Sequence, residues 1–158
     1  MNKILVPTDF SIESLSLLIG ALENENNSVD IVLVYGMSLP TSITELLFFS
    51  KQKCLEELQN IEFLNALSDV KEVYKDKINS ITSDFFHGFN KNAFQNYLQG
   101  HGINKAYIPD DGKSILSNKR KGFDLISFIK KSDTDICEIR YPNGENLKLV
   151  GFNMLIAN

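Results

Sequence analysis

Cysteine is scarce: Cys54 and Cys137 are the only two in 158 residues, far apart and without CxxC spacing. A disulfide scaffold or a zinc site is therefore not expected, and a reduced interior is. Histidine is equally rare. Neither His87 nor His101 has a serine or cysteine nucleophile at a spacing that a catalytic triad would use, so an enzyme is not expected. Positive charge is in deficit, 16 Lys and Arg against 20 Asp and Glu for a net −4, which argues against a broad nucleic-acid-binding face. No apolar run approaches membrane-spanning length. The first residues enter an apolar stretch without the basic and small-residue flanks of a secretion signal, so a cytoplasmic location is expected. Internal repeats and low-complexity tracts are also lacking.

What is present suits one soluble domain with a sizeable core: 43% hydrophobic and 23% charged residues. "KILVPT" (3–8) is a short, almost continuous apolar run of the kind buried on both faces of a parallel sheet. Residues 9–25 then space Leu15, Leu18, Ile19 and Leu22 as a helix, with Asp9 or Ser11 available to cap it. "VDIVLVYG" (29–36) is a second buried strand. "SITE" (42–45) has the serine and glutamate of a capping box and opens a long helical pattern. Its buried stripe is expected at Leu47, Cys54, Leu55, Leu58 and Ile61, with a break near Ser68 and a resumption through Val70, Val73 and Tyr74. A third strand is expected over 78–86. A helix capped by Asn90 then runs to a glycine stop at Gly100 or Gly102, followed by a fourth strand, "KAYIP" (105–109). The pattern ends with a helix over 122–133 and a fifth strand over 136–141. This alternation predicts an α/β fold, a doubly wound five-stranded parallel sheet with helices on both faces. Ligands in such sheets bind beyond the carboxyl ends of the strands, which here places 7–11, 35–38, 87–90 and 109–113 at the candidate site.

"KILVPTDFSIESLSLLIGAL" resembles the opening of the universal stress protein family: an apolar strand, Pro-Thr-Asp-Phe-Ser, then a serine- and leucine-rich helix. The likeness continues in pattern through "IVLVYG", "FFHGFNKNAF", "KAYIP" and 122–141. ATP-binding members of that family carry a glycine, two residues, a second glycine, nine residues, and a third glycine followed by serine or threonine. The glycines let backbone N–H groups approach the phosphates, and the last one opens a helix whose positive end faces them. The corresponding residues here are Pro109, Asp110, Asp111, Gly112, nine residues, Gly122 and Phe123. Proline removes one N–H and fixes φ. Phe123 has no hydroxyl to donate, and the adjacent carboxylates repel a triphosphate.

The resemblance places an adenine-nucleotide site at Pro7, Thr8, Asp9, Tyr35, Gly112, Lys113 and Gly122. Asp9 has two readings, a ribose contact or a cap for the first helix, and both can hold together. The cluster Lys119, Arg120, Lys121 reads either as cations reaching a phosphate or as a solvated loop. The expected function is a non-catalytic stress-response module with weak or lost ATP binding and no other cofactor or metal. The alternative is an adenine-nucleotide-binding switch, with slow ATP hydrolysis a more distant reading. Residues 1–141 are expected to form the domain and 142–158 a C-terminal strand extension, because Asn143-Gly144 signals a β-hairpin between "ICEIRY" and "LKLVGFNMLI". The family's fifth strand pairs at the sheet edge in a homodimer, and the same is expected here, with the extension taking part and with neither nucleic acid nor membrane as partner.

Overall fold

The computed structural model describes residues 2–38, 47, 50–88, 90–110 and 122–140. Along the chain these form β1 (Lys3–Pro7), α1 (Leu15–Asn24), β2 (Val29–Met37), α2 (Lys51–Leu58), α3 (Ile61–Val73) and β3 (Ile78–Phe86). α4 (Lys91–His101), β4 (Lys105–Pro109), β5 (Gly122–Phe123), α5 (Ile126–Lys131) and β6 (Asp135–Ile139) follow. Five strands pair in parallel in the order β3-β2-β1-β4-β6, and the two-residue β5 pairs antiparallel with β2. The chain runs outward from β1 through β2 to β3, then returns to the other side of β1 for β4. The order thus reverses between β1 and β4, and a crevice at the carboxyl ends is a consequence of that topology.

The near-continuous apolar strands are explained by burial on both faces. Ile4, Val6, Ile31, Leu33 and Tyr35 meet α1 and α3 through Leu15, Leu18, Leu22, Phe63 and Val70. Leu5, Val32, Val34, Ala106 and Ile108 meet α4 and α5 through Phe94, Leu98, Ile126 and Ile129. Successive strand residues therefore enter opposite cores, as a period of two demands. Each fully buried Leu or Ile contributes roughly 1.5–3 kcal/mol relative to exposure, which makes these two clusters the main source of stability.

Several boundaries differ from the sequence expectation. The long helical pattern does break, but at Asn60 rather than near Ser68, because the Asn60 side chain accepts a hydrogen bond from Phe63 N (2.8 Å) and starts α3. Ser68 sits inside α3. Leu47 and Ile61 do not belong to a buried stripe; they are 76% and 69% exposed, and Val73 is also exposed. Cys54, Leu55 and Leu58 do pack, half-buried, against the core. The capping box at 42–45 lies outside the described residues. α1 begins only at Leu15, after tight turns in which Ser14 N donates to Ser11 Oγ (3.2 Å), so neither Asp9 nor Ser11 is the N-cap residue, which is Ser14. Asn90 caps α4 by accepting from Ala93 N (2.8 Å), and of the two glycines offered as its stop, Gly102 ends it at φ 68. The helix expected over 122–133 is confined to Ile126–Lys131, and Gly122–Phe123 is extended. The C-terminal hairpin lies outside the described residues.

Candidate functional site

At the carboxyl end of β1, Thr8 N still donates to Val34 O of β2 (2.9 Å), and beyond it the chain turns sharply. Phe10 takes φ 61, a left-handed conformation that costs a residue with a side chain on the order of 1 kcal/mol or more. Its ring offsets that cost by packing at 5.7 Å from both Tyr35 and Phe63. Phe10 N donates to Thr8 Oγ1 (2.9 Å), and Thr8 Oγ1 meets Ser14 Oγ (2.9 Å). Asp9, only 2% exposed, accepts at Oδ1 from both the backbone N and the hydroxyl of Ser11. The carboxylate thus closes the turn at 9–11, ahead of the helix it was expected to cap. Tyr35 lies beneath this turn, where burial and then the Asp9 charge push its phenol above the usual range.

β2 outlasts β1 on their shared edge. Their pairing ends at Pro7 against Val34, whereas β2 continues to Met37 and keeps pairing with β3 to Gly36 against Phe86. The open edge is taken by β5, with Gly36 opposite Phe123 and Met37 opposite Gly122. The chain then enters α5, where Asp124 Oδ1 accepts from Ile126 N at 3.0 Å, so one free N–H at the helix start is already satisfied. Asp124 is a residue of this end of the sheet that sequence reasoning passed over, although an acid just before an apolar helical run is a standard start signal. Asp110 follows β4 on the neighbouring loop; its N donates to Ile139 O (2.9 Å) and its carboxylate lies 3.8 Å from Arg140 Nε.

Of the residues singled out from sequence, Pro7, Thr8 and Asp9 stand together at the end of β1, with Tyr35 beside them on β2 and the Gly122 backbone on the extension of the same sheet. Gly112 and Lys113 lie outside the described residues. His87 brings Nδ1 within 3.0 Å of Met37 O, and His101 stacks on Tyr97 with centroids 4.2 Å apart. Among the described residues no group of three His, Cys, Asp or Glu side chains could hold a metal ion, and no helix is long and apolar enough to cross a membrane.

Two buried carboxylates elsewhere were not anticipated. Asp84, on edge strand β3, is 7% exposed and takes hydrogen bonds from Tyr97 OH (2.7 Å), Phe85 N (2.8 Å) and Lys51 Nζ. Burial pushes its carboxyl up, but Lys51 and Tyr97 outweigh that and hold it below the usual range. Nothing in the one-dimensional pattern links Lys51 to Asp84. Glu25, at the opposite end of the sheet, is paired with Lys105 Nζ (2.7 Å) and with Tyr107 OH. Glu25 and Lys105 border a polar cavity of about 280 Å3 that is also lined by Asn2, Asn26, Asn27 and Ser28. That cavity opens at the amino ends of the strands, so it is no part of the crevice at the carboxyl ends.

No family model matches the sequence, and no curated protein matches it. Solved structures do share its fold. A hypothetical protein, PH0823, is similar with a TM-score of 0.52 at 18% identity, over 90% of this chain and 97% of its own. A protein from the universal stress protein family from Burkholderia pseudomallei is similar with a TM-score of 0.51 at 14% identity, over 87% of this chain and 95% of its own. At such identities the likeness concerns fold, and it agrees with the parallel five-stranded order described above. The chain has the universal-stress-protein-like fold.

Proposed function

We propose that this chain is a universal-stress-protein-like, non-catalytic regulatory module, cytoplasmic, whose adenine-nucleotide crevice binds ATP weakly or not at all. The proposed crevice is the one between the ends of β1 and β4, with Pro7, Thr8, Asp9 and Tyr35 on its β1–β2 side and Gly122 nearby; Gly112 and Lys113, outside the described residues, are proposed for its phosphate side from the sequence motif alone. One observation carries the reading: Gly122–Phe123, which would open a helix toward a phosphate, is extended on β2 instead, and the next residue, Asp124, takes the N–H at the start of α5. A helix start offers an anion its unpaired N–H groups and the positive end of its dipole. Here a carboxylate uses one of those groups and opposes a second negative charge. Asp9 is likewise engaged with Ser11. Those bonds use part of the accepting capacity of Asp9 and hold its carboxylate in the turn.

Calorimetry with ATP and magnesium tests the proposal. Binding weaker than about 100 μM, worth roughly 5.5 kcal/mol, is the expected outcome. Low-micromolar binding by the unmodified protein would overturn it and favour a nucleotide-binding switch. The same module is proposed to form a homodimer through β6 and the C-terminal extension. In support, β6 ends the strand order with β4 as its one partner among the described residues, and Ile136 on it is 38% exposed.

A further inference from the structure

The edge of β2 beyond Val34 is where a crevice ligand would approach the sheet, since β1 has already turned away. That edge is covered by the chain itself. β5 adds an antiparallel rung at Gly36 and Met37, and the Phe123 ring joins a cluster with Phe86 (6.2 Å) and Phe128 (5.6 Å). The approach is so close that only glycine fits opposite. A Cβ built on Gly36 would lie 2.8 Å from Phe123 Cε2 and 2.8 Å from the Phe123 carbonyl oxygen, well inside van der Waals contact with both ring and backbone. Gly36 takes a φ that any residue adopts, so the requirement is for space and not for backbone freedom. A glycine inside a strand weakens it, and this one, next to the end of β2, is matched by the aromatic seated on it.

We infer that Gly122–Phe123 is an intrasteric strand: it occupies the end of β2 in competition with nucleotide, and the crevice opens when the strand lifts. The inference rests on the reading of this end of the sheet as the nucleotide crevice and adds how access to it is regulated. Two parts of the contact can be separated. The ring supplies aromatic packing, and the backbone supplies the rung on β2. Affinity for a ligand that needs the strand lifted is reduced by the fraction of molecules in which it is lifted. A two-residue rung is short enough to open locally while the two cores stay closed.

The test uses the full chain and two variants, Phe123→Ala, which removes the ring, and Gly36→Ala, whose methyl collides with ring and backbone together. Hydrogen exchange read by NMR should show faster exchange of the amides of 36–37 and 122–126 in both variants. ATP with magnesium should bind each variant at least tenfold more tightly than wild type, and saturating ATP should speed exchange of the same amides in wild type. If the variants fold, exchange fast at 122–126 and still bind ATP no more tightly than wild type, the strand is not what limits access and the inference is wrong. That result would leave the proposed weak-binding module standing, whereas low-micromolar binding by wild type would remove that proposal instead. Should Gly36→Ala fail to fold, Phe123→Ala decides the question alone.

Discussion

Replacing Asp84 with asparagine keeps the shape of the side chain and removes its charge, which isolates what that charge contributes. The carboxylate is 7% exposed and takes hydrogen bonds from three partners on three elements, Lys51 at the start of α2, Tyr97 on α4 and the adjoining Phe85 N, with His101 Nε2 a further 3.7 Å contact. A hydrogen bond to a charged acceptor is worth about 1.5–3 kcal/mol and a neutral one about 1 kcal/mol. Asparagine can still accept from Tyr97 or Phe85 N, so each retained bond weakens and is not lost. Lys51 is 53% exposed and rehydrates when released, so its share is discounted to about 1 kcal/mol or less. The expected cost of Asp84→Asn is therefore about 2 kcal/mol at pH 7. For a chain of this size that lowers Tm by roughly 4–8 °C. The pH dependence has a definite sign. The folded-state pKa of Asp84 is depressed, so its contribution is present above the unfolded carboxyl value of about 4 and is lost as pH falls through the lower folded value. Urea denaturation of both proteins at pH 7 and at pH 3 should show the gap narrowing in acid. A variant within about 0.5 kcal/mol of wild type at pH 7, or a gap that grows in acid, refutes the reasoning.

Lys105→Met should destabilise by about 3 kcal/mol at pH 7 in urea denaturation, because Glu25 is 5% exposed and would be left as a buried carboxylate with Tyr107 as its main partner. An unchanged midpoint would show that the pair is not stabilising. The double substitution Pro109→Gly and Phe123→Ser returns an N–H donor and a hydroxyl to the phosphate side, and calorimetry should show ATP binding about tenfold tighter than in Phe123→Ala, which removes the ring alone, roughly 1.4 kcal/mol. No gain in a folded double variant would mean that the loop has diverged beyond those two positions. Light scattering should give a dimer for the full chain at micromolar concentration and a smaller mass for a truncation after Pro142. Two monomeric species would dispose of the proposed dimer.

Periodicity along the chain was enough to read the alternation of strands and helices, because burial on both sheet faces writes continuous apolar runs at 3–7 and 29–37 and a helical stripe between them. The caps at Asn90 and Gly102 were also legible, since a helix end is satisfied by residues within a few positions of it. The start of α1 was not. Asp9 offers the same oxygen to a helix N–H or to a turn N–H, and the Phe10 ring chose the turn by finding Tyr35, Phe63 and Phe85 in the core. Gly122 and Phe123 are a comparable case. Read alone, they continue into the apolar spacing of Leu125, Ile126 and Ile129 and look like a first helical turn. They are drawn into a strand because β1 ends at Pro7 and leaves hydrogen-bonding edge on β2, and because Gly36 has no side chain to keep a ring away. The partners of Asp84 and Glu25 were hidden for the same reason: Lys51 and Lys105 are distant in sequence, and only the strand order brings them to those carboxylates. Local spacing and capping decided the elements of this protein; which groups face one another at the end of β2 was decided by the order of the strands.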